Sequence, residues 1–312
     1  MGTITTSAPG KVILLGEHAV VFGQPAISLA IDLRLQLRMR PGHHNSLNGH
    51  PLSERTHPYI THCIKHLWNG GPLELETVSA FPSGSGLGSS AAVTTATLAA
   101  LMSASGKEIS QESIARHAFE VESEVQGRAS PIDTSTATHG EGILIDKAPG
   151  PDLLWHISRD VREWYIHHCS VPRMTLVVGF TGISSPTGPQ VAKVRRYVEH
   201  SGFAREVVEE IGSLTNEGLR CLREQDMVGL GALMTRDHKL LAILGVSCQA
   251  LDRLVEAALP YSYGAKLTGS GGGGSMIALT DRPEQVAEAI KNKGGTPFIV
   301  HTGVPGVRKE MI

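Results

Sequence analysis

Three stretches of this 312-residue chain carry side chains able to do chemistry, and each lies beside glycines. "SAPGKVILLGEHAVVFG", residues 7–23, sets Lys11 in a strand-like run and releases Glu17 and His18 just after Gly16. Glycine lets backbone approach a ligand closely, although a surface lysine followed by a turn is the plainer reading of that stretch alone. "PSGSGLGSSAAV", residues 82–93, is a glycine loop running into a small-residue helix pattern. A strand, a loop and a helix start together present free N–H groups and the positive helix end to an anion. Ser89 and Ser90 stand at that start, where their hydroxyls can meet phosphate or a metal ion. The P-loop signature with its lysine is absent, so the cation must come from another segment. "EVESEVQGRASPIDTSTATHG", residues 120–140, adds Glu122 beside the apolar stripe of an expected helix and Asp133 in an expected loop after Pro131. Two carboxylates near a phosphate loop suit two tasks, one holding magnesium and one facing an acceptor hydroxyl.

A fourth stretch, "KLTGSGGGGS" (266–275), matches G-x-G-x-x-G literally at Gly269, Gly271 and Gly274. A dinucleotide fingerprint needs a helix next, but the strand-like "SMIALT" follows, so a second backbone cradle beside the first loop is expected. His62 and His66 are spaced i, i+4 on an expected helix, with His57 and Cys63 nearby. No carboxylate motif accompanies them, so a metal site is not expected there. His167, His168 and Cys169 read as strand-edge residues.

The elements that must position these residues follow from periodicity. "KVILL", "LRLQLRMR" and "LELETVSA" (73–80) read as strands, and the polar residues 41–57 as a loop. Helices are expected over 58–68, 91–103 and 111–126. The last puts Ile114, Ala118, Val121 and Val125 on one stripe, with Ser110 to cap its start and Gly127 its end. "DKAPGPD" is a turn and "MTLVVGF" (174–180) a buried strand. Residues 190–259 are mostly helical with breaks near Gly202 and Gly245. "SMIALT", a helix at 283–293 and a strand at 298–301 close the chain. Strands and helices mix without strict alternation, which points to an α+β fold, and the rise in helix content places a boundary within 147–170.

Composition bounds the function. The chain is 41% hydrophobic and 19% charged with net charge −2 and no basic block, which argues against disorder and against a nucleic-acid partner. Four cysteines without a C-x-x-C pair suit a reducing cytosol with buried thiols better than a disulfide framework or a zinc ribbon. No signal peptide is expected, and the longest lightly polar run, 91–104, is too short to span a bilayer, so no membrane partner and a cytoplasmic location are expected.

"APGKVILLGEHAVVFG", "PSGSGLGSSAAV" and "KLTGSGGGGS" occur together in the order found in the GHMP kinases, and the chain resembles that family over nearly its whole length. "GEHAVVFG" and "LMTRDHKLLAILGVS" (233–247) are similar to the mevalonate kinase branch in its compact archaeal form. The resemblance implies an N-terminal domain like the second domain of ribosomal protein S5 (1–165), a ferredoxin-like C-terminal domain (166–312) and a site between them. It further implies ATP and Mg²⁺ as cofactors, mevalonate as the acceptor through its C5 hydroxyl, and a homodimer as relatives suggest. Position by position, Asp133 matches the aspartate that takes or orients the hydroxyl proton and Lys11 the lysine beside it. Glu122 and Ser90 match magnesium ligands. Pro82, Gly84, Ser85, Gly86, Leu87, Gly88, Ser89 and Ser90 match the loop around the nucleotide phosphates. Glu17, His18, Thr187 and Gly271 match substrate-side positions, His18 standing as a candidate for the substrate carboxylate. The sequence departs from the family at Gly188-Pro189, where relatives often place a basic residue, and at Ser270 and Ser275, which replace Ala and Cys. The nearest alternative is another small-molecule kinase of the same family.

Overall fold

The computed structural model describes residues 2–82, 84–106, 110–127 and 129–310, which form two sheets packed with helices. In chain order the first part holds β1 (Ile4–Leu15), β2 (Ala26–Pro41), the short β3 (Ser46–Leu47) and β4 (His50–Pro51), α1 (Pro58–Leu67), β5 (Leu73–Ser79) and α2 (Ser89–Ala104). It continues with α3 (Gln111–Gln126), α4 (Ile132–His139), β6 (Gly142–Asp146), β7 (Leu153–Arg159) and β8 (Arg162–His168). The second part holds β9 (Thr175–Phe180), α5 (Thr187–His200), α6 (Gly202–Glu224), α7 (Met227–Ile243) and α8 (Gln249–Ala258). Then come β10 (Gly264–Thr268), β11 (Ser275–Leu279), α9 (Pro283–Asn292), β12 (Thr296–His301) and finally β13 (Arg308–Lys309).

β2 is the spine of the first sheet. One of its edges pairs with β1 along nearly its whole length, and the other pairs with β6 over 26–29 and with β5 over 35–41. The second sheet runs β10-β11-β9-β12, antiparallel throughout, which is the ferredoxin-like order. One apolar cluster crosses both parts, joining Leu14, Leu29 and Leu98 of the first to Leu176, Ile277 and Val300 of the second. The two parts therefore share a core and sit rigidly enough to build a site between them.

α2 shows why its sequence folds as it does. It is apolar all round, and a helix with no polar face belongs in the interior. Its alanines let α1, α3, α4 and the first sheet approach closely. Its buried threonines return their hydroxyls to the preceding turn, Thr94 to the Ser90 carbonyl and Thr97 to that of Val93. α3 spans the residues expected, and the Ser110 hydroxyl accepts from the Ser113 N–H at its start.

Several regions differ from the sequence reading, among them 41–57, expected as a loop, which holds the short β3 and β4. Asp133 lies in the first turn of α4 rather than in a loop, because the chain turns helical directly after Pro131, the N-cap residue of this short helix. The strands β6 and β7 were not expected, and β8 was foreshadowed only by the reading of His167, His168 and Cys169 as strand-edge residues. The β7–β8 hairpin turns without a glycine, with Asp160 taking the left-handed conformation at φ 55°. The 165/166 division falls inside β8, and β13 pairs Thr6 and Ser7 of β1 from the far end of the chain. The C-terminal segment thus completes the first sheet. The Arg34 guanidinium fastens that segment by donating to the Pro305 and Gly306 carbonyls at 2.7 and 2.8 Å.

Candidate active site

β1 carries Lys11 toward the seam between the two sheets. The Lys11 N–H donates to the Leu87 carbonyl at 2.9 Å, tying the strand to the glycine loop. Its side chain is 4% exposed and brings Nζ to 2.9 Å from Asp133 Oδ1, whose own side chain is 25% exposed. Gly88 makes that approach possible: it sits at φ 80°, and a Cβ there would lie 2.8 Å from Lys11 Cγ. The cation missing from the glycine loop is thus supplied from β1 and pressed against the loop itself.

Gly84, Gly86 and Gly88 all take positive φ. The Ser85 hydroxyl donates to the Pro82 carbonyl at 2.7 Å, and the Ser275 hydroxyl donates to the Ser85 carbonyl at 2.7 Å. The second glycine loop therefore lies against the first, as expected of a paired cradle. The Thr268 hydroxyl joins β10 to β1, accepting from the Ile13 N–H at 2.9 Å and donating to its carbonyl at 3.0 Å. Of the loop residues singled out in the sequence, Gly84, Gly86, Gly88, Ser89 and Ser90 line the cavity. Pro82, Ser85 and Leu87 brace the loop from behind. Ser83 lies outside the described residues. α2 begins at Gly88 without a side-chain cap, so its first amides are not spent on a neighbouring side chain. Thr187, the first residue of α5, and Gly271 also line the cavity.

Glu122 projects from α3 into the same space and is buried. Gln126 donates to its Oε1 at 3.1 Å and to the Tyr59 hydroxyl at 3.0 Å, and that hydroxyl also meets Ser90. Glu122 Oε2 has no partner among the described residues. Burial raises this carboxyl above the ordinary carboxylate range and the Asp133 charge adds to the rise, while Lys11 opposes it. An orphaned, buried carboxylate oxygen beside a serine at a helix start is a donor set that suits a hard cation.

Glu17 and His18 both line the cavity, and each already has a partner within the protein. The Glu17 carboxylate is paired with Lys266 of β10, and Lys266 Nζ lies 3.1 Å from Asp237 of α7. All three side chains are buried. Burial pushes both carboxyl groups upward, with Lys266 working against it. His18, at φ 61°, places Nε2 3.0 Å from the Ser270 carbonyl. A carbonyl only accepts, so Nε2 carries the proton. Burial lowers the ring to about 4, so at neutral pH its free Nδ1 is an acceptor rather than a donor for a carboxylate. Sequence reasoning missed Tyr59, Gln126, Asp237 and Lys266, whose roles arise from pairings across distant segments. It also missed Arg195 and Arg196 of α5, which line the cavity beyond Gly188-Pro189.

These surfaces enclose a cavity of about 1390 Å³ between the two sheets. Residues 58–141 match the family description "GHMP kinases N terminal domain" and residues 219–296 match "GHMP kinases C terminal". The mevalonate kinase of Pyrococcus abyssi is 35% identical, the match covering 99% of this chain and 98% of that relative. The chain belongs to the GHMP kinases. The kinase also shares its fold with the solved mevalonate kinase of Methanococcus jannaschii (TM-score 0.78, 26% identity, 97% of this chain and 99% of that one). The L. major mevalonate kinase, solved in complex with R-mevalonate, matches with TM-score 0.80 and 25% identity over 97% of this chain and 96% of its own. The two-domain α+β architecture expected from the motifs is thus the fold of the kinase. No helix among its described residues is long and apolar enough to cross a membrane.

Proposed function

We propose that this GHMP kinase is a mevalonate kinase, moving the γ-phosphoryl group of ATP to the C5 hydroxyl of mevalonate. The observation that carries the mechanism is the Lys11–Asp133 pair, 2.9 Å apart beside the uncapped start of α2. Phosphoryl transfer depends on positioning and charge stabilisation more than on covalent chemistry by the protein. The amides at the start of α2 and the two glycine loops hold the ATP phosphates. Asp133 accepts or orients the proton of the attacking hydroxyl. Lys11 stabilises charge on the moving phosphoryl group and fixes the Asp133 carboxylate toward the acceptor. Glu122 and Ser90 would hold Mg²⁺, which when bound neutralises phosphate charge. Because His18 Nδ1 is an acceptor, Arg195 and Arg196, on the helix that Thr187 begins, are the donors for the substrate carboxylate. A cytoplasmic homodimer belongs to the same proposal, and light scattering of the purified protein checks the dimer.

A panel of alcohols with ATP and magnesium tests the reading. Mevalonate is expected to be the acceptor turned over fastest, giving 5-phosphomevalonate and ADP. Turnover of phosphomevalonate or another alcohol without turnover of mevalonate would overturn the substrate assignment while leaving a kinase.

A further inference from the structure

α1 and α3 meet at a cluster that the phosphoryl transfer does not use. His62 and His66, one turn apart on α1, both face Glu124 of α3. Glu124 Oε2 lies 2.7 Å from His62 Nδ1 and 3.0 Å from His66 Nε2. Candidate ligand atoms of the three residues lie within 4.8 Å of one another. The remaining ring nitrogen of His62, Nε2, lies 3.1 Å from Glu54 Oε1, and Lys65 holds the other Glu54 oxygen at 2.8 Å. We propose that this cluster is a site for a zinc-like divalent transition metal, with His62 Nδ1, His66 Nε2 and a Glu124 oxygen as its protein ligands.

Three physical points carry the assignment. Two imidazole nitrogens and one carboxylate form a donor set for a borderline cation such as Zn²⁺, unlike the oxygen donors that suit Mg²⁺ at Glu122. Second, a metal-bound histidine commonly gives its other N–H to a carboxylate that fixes its tautomer and ring plane, and Glu54 already stands in that position toward His62. Third, the spacing is close to what coordination needs. Bonds of about 2.0–2.1 Å in a tetrahedral site set neighbouring ligand atoms roughly 3.3 Å apart. Glu124 Oε2 must therefore withdraw by about 0.3–0.6 Å, and the two ring nitrogens, within 4.8 Å of each other, must settle to the same spacing; the Glu124 side chain is 39% exposed and free to move. That exposure also leaves the fourth position to water.

The cluster brackets a functional wall. α1 carries Tyr59 and α3 carries Glu122 and Gln126, and Gln126 already links Tyr59 to Glu122. A metal spanning the two helices would brace the wall that presents Glu122 to the cavity.

The test titrates Zn²⁺ and Co²⁺ alone into the metal-stripped, full-length protein. Calorimetry reads affinity, thermal unfolding reads stabilisation, and visible absorption reads four-coordinate Co²⁺. Wild type and Glu122→Gln are expected to bind one ion at this site, with a raised Tm and tetrahedral Co²⁺ bands. His62→Ala/His66→Ala is expected to lose at least tenfold in affinity, the Tm rise and the bands. Glu124→Gln, which keeps the helix surface polar, is the second variant should the double substitution unfold α1. Absence of binding by wild type would overturn the proposal. So would binding that survives in both the double variant and Glu124→Gln, because the ion would then reside at the catalytic carboxylates or at a thiol.

Discussion

Two lysine–carboxylate clusters stand within the same molecule and do opposite things. Lys11 meets Asp133 at 2.9 Å with the carboxylate open to the cavity. Lys266 meets Glu17 and Asp237 in a cluster closed to solvent, its side-chain exposures 0%, 1% and 0%. An open pair keeps a reacting group accessible and mobile enough to exchange a proton. A sealed triad with two acids and one base cannot hold both acids charged cheaply, and it titrates as a unit. Its value is geometric: it joins β10 and α7 to the residue before His18, fixing that strained position at the cavity wall. Chemically similar groups are thus separated into a reacting pair and a strut by access to water.

Four measurements can break or sharpen this contrast. Asp133→Asn should lower kcat by roughly 10²–10⁴-fold while leaving the thermal midpoint within a few degrees of wild type. Near-wild-type turnover would remove the open pair from the mechanism. Lys266→Met should cost roughly 3–5 kcal/mol in urea unfolding, because it leaves two buried acids without a cation; an unchanged transition would mean the triad is no strut. His18 adds a pH dependence beside the triad. The folded state keeps the ring neutral down to about pH 4, whereas the unfolded chain protonates it near 6.5, the ordinary imidazole value. The stability it contributes is full above pH 6.5 and drains as pH falls to 4, in all about 3 kcal/mol. Urea midpoints of wild type and His18→Asn across that range should converge in acid, and parallel curves would discount the assignment. Smallest is Asp237→Asn, which removes the surplus acid and should shift stability by no more than about 1 kcal/mol in either direction. A loss comparable to that of Lys266→Met would show that Asp237 is charged in the folded state.

The legible part of the fold and the site was local. Caps, glycine loops and apolar stripes are written within a few residues of one another, so α3 with Ser110 and Gly127 could be read directly. Lys11, Glu122 and Asp133 were legible because each sits in a dense motif, and the structure brings them together around one cavity. What escaped the sequence is made by contacts across long separations. Glu17 and Lys266 are 249 residues apart, and Glu124 meets His62 across 62, distances over which periodicity carries no signal. The hairpin of β7 and β8 escaped for a different reason, since Asp160 turns it where a glycine would have announced it. α4 escaped because eight residues rich in threonine and serine have little helical propensity and depend on burial for their form.

The pairing of β13 with β1 sets an order for biosynthesis. β1 is made with one edge committed to β2, long before the strand that covers Thr6 and Ser7 on its other edge. Arg34 waits equally long for the carbonyls of Pro305 and Gly306. Throughout translation the nascent N-terminal half therefore carries an open strand edge, the feature most prone to wrong pairing between chains. A split of the gene between β8 and β9 would leave Thr6 and Ser7 uncovered, so the first half expressed alone should aggregate more readily than the whole chain, and supplying the C-terminal segment in trans should reduce that difference.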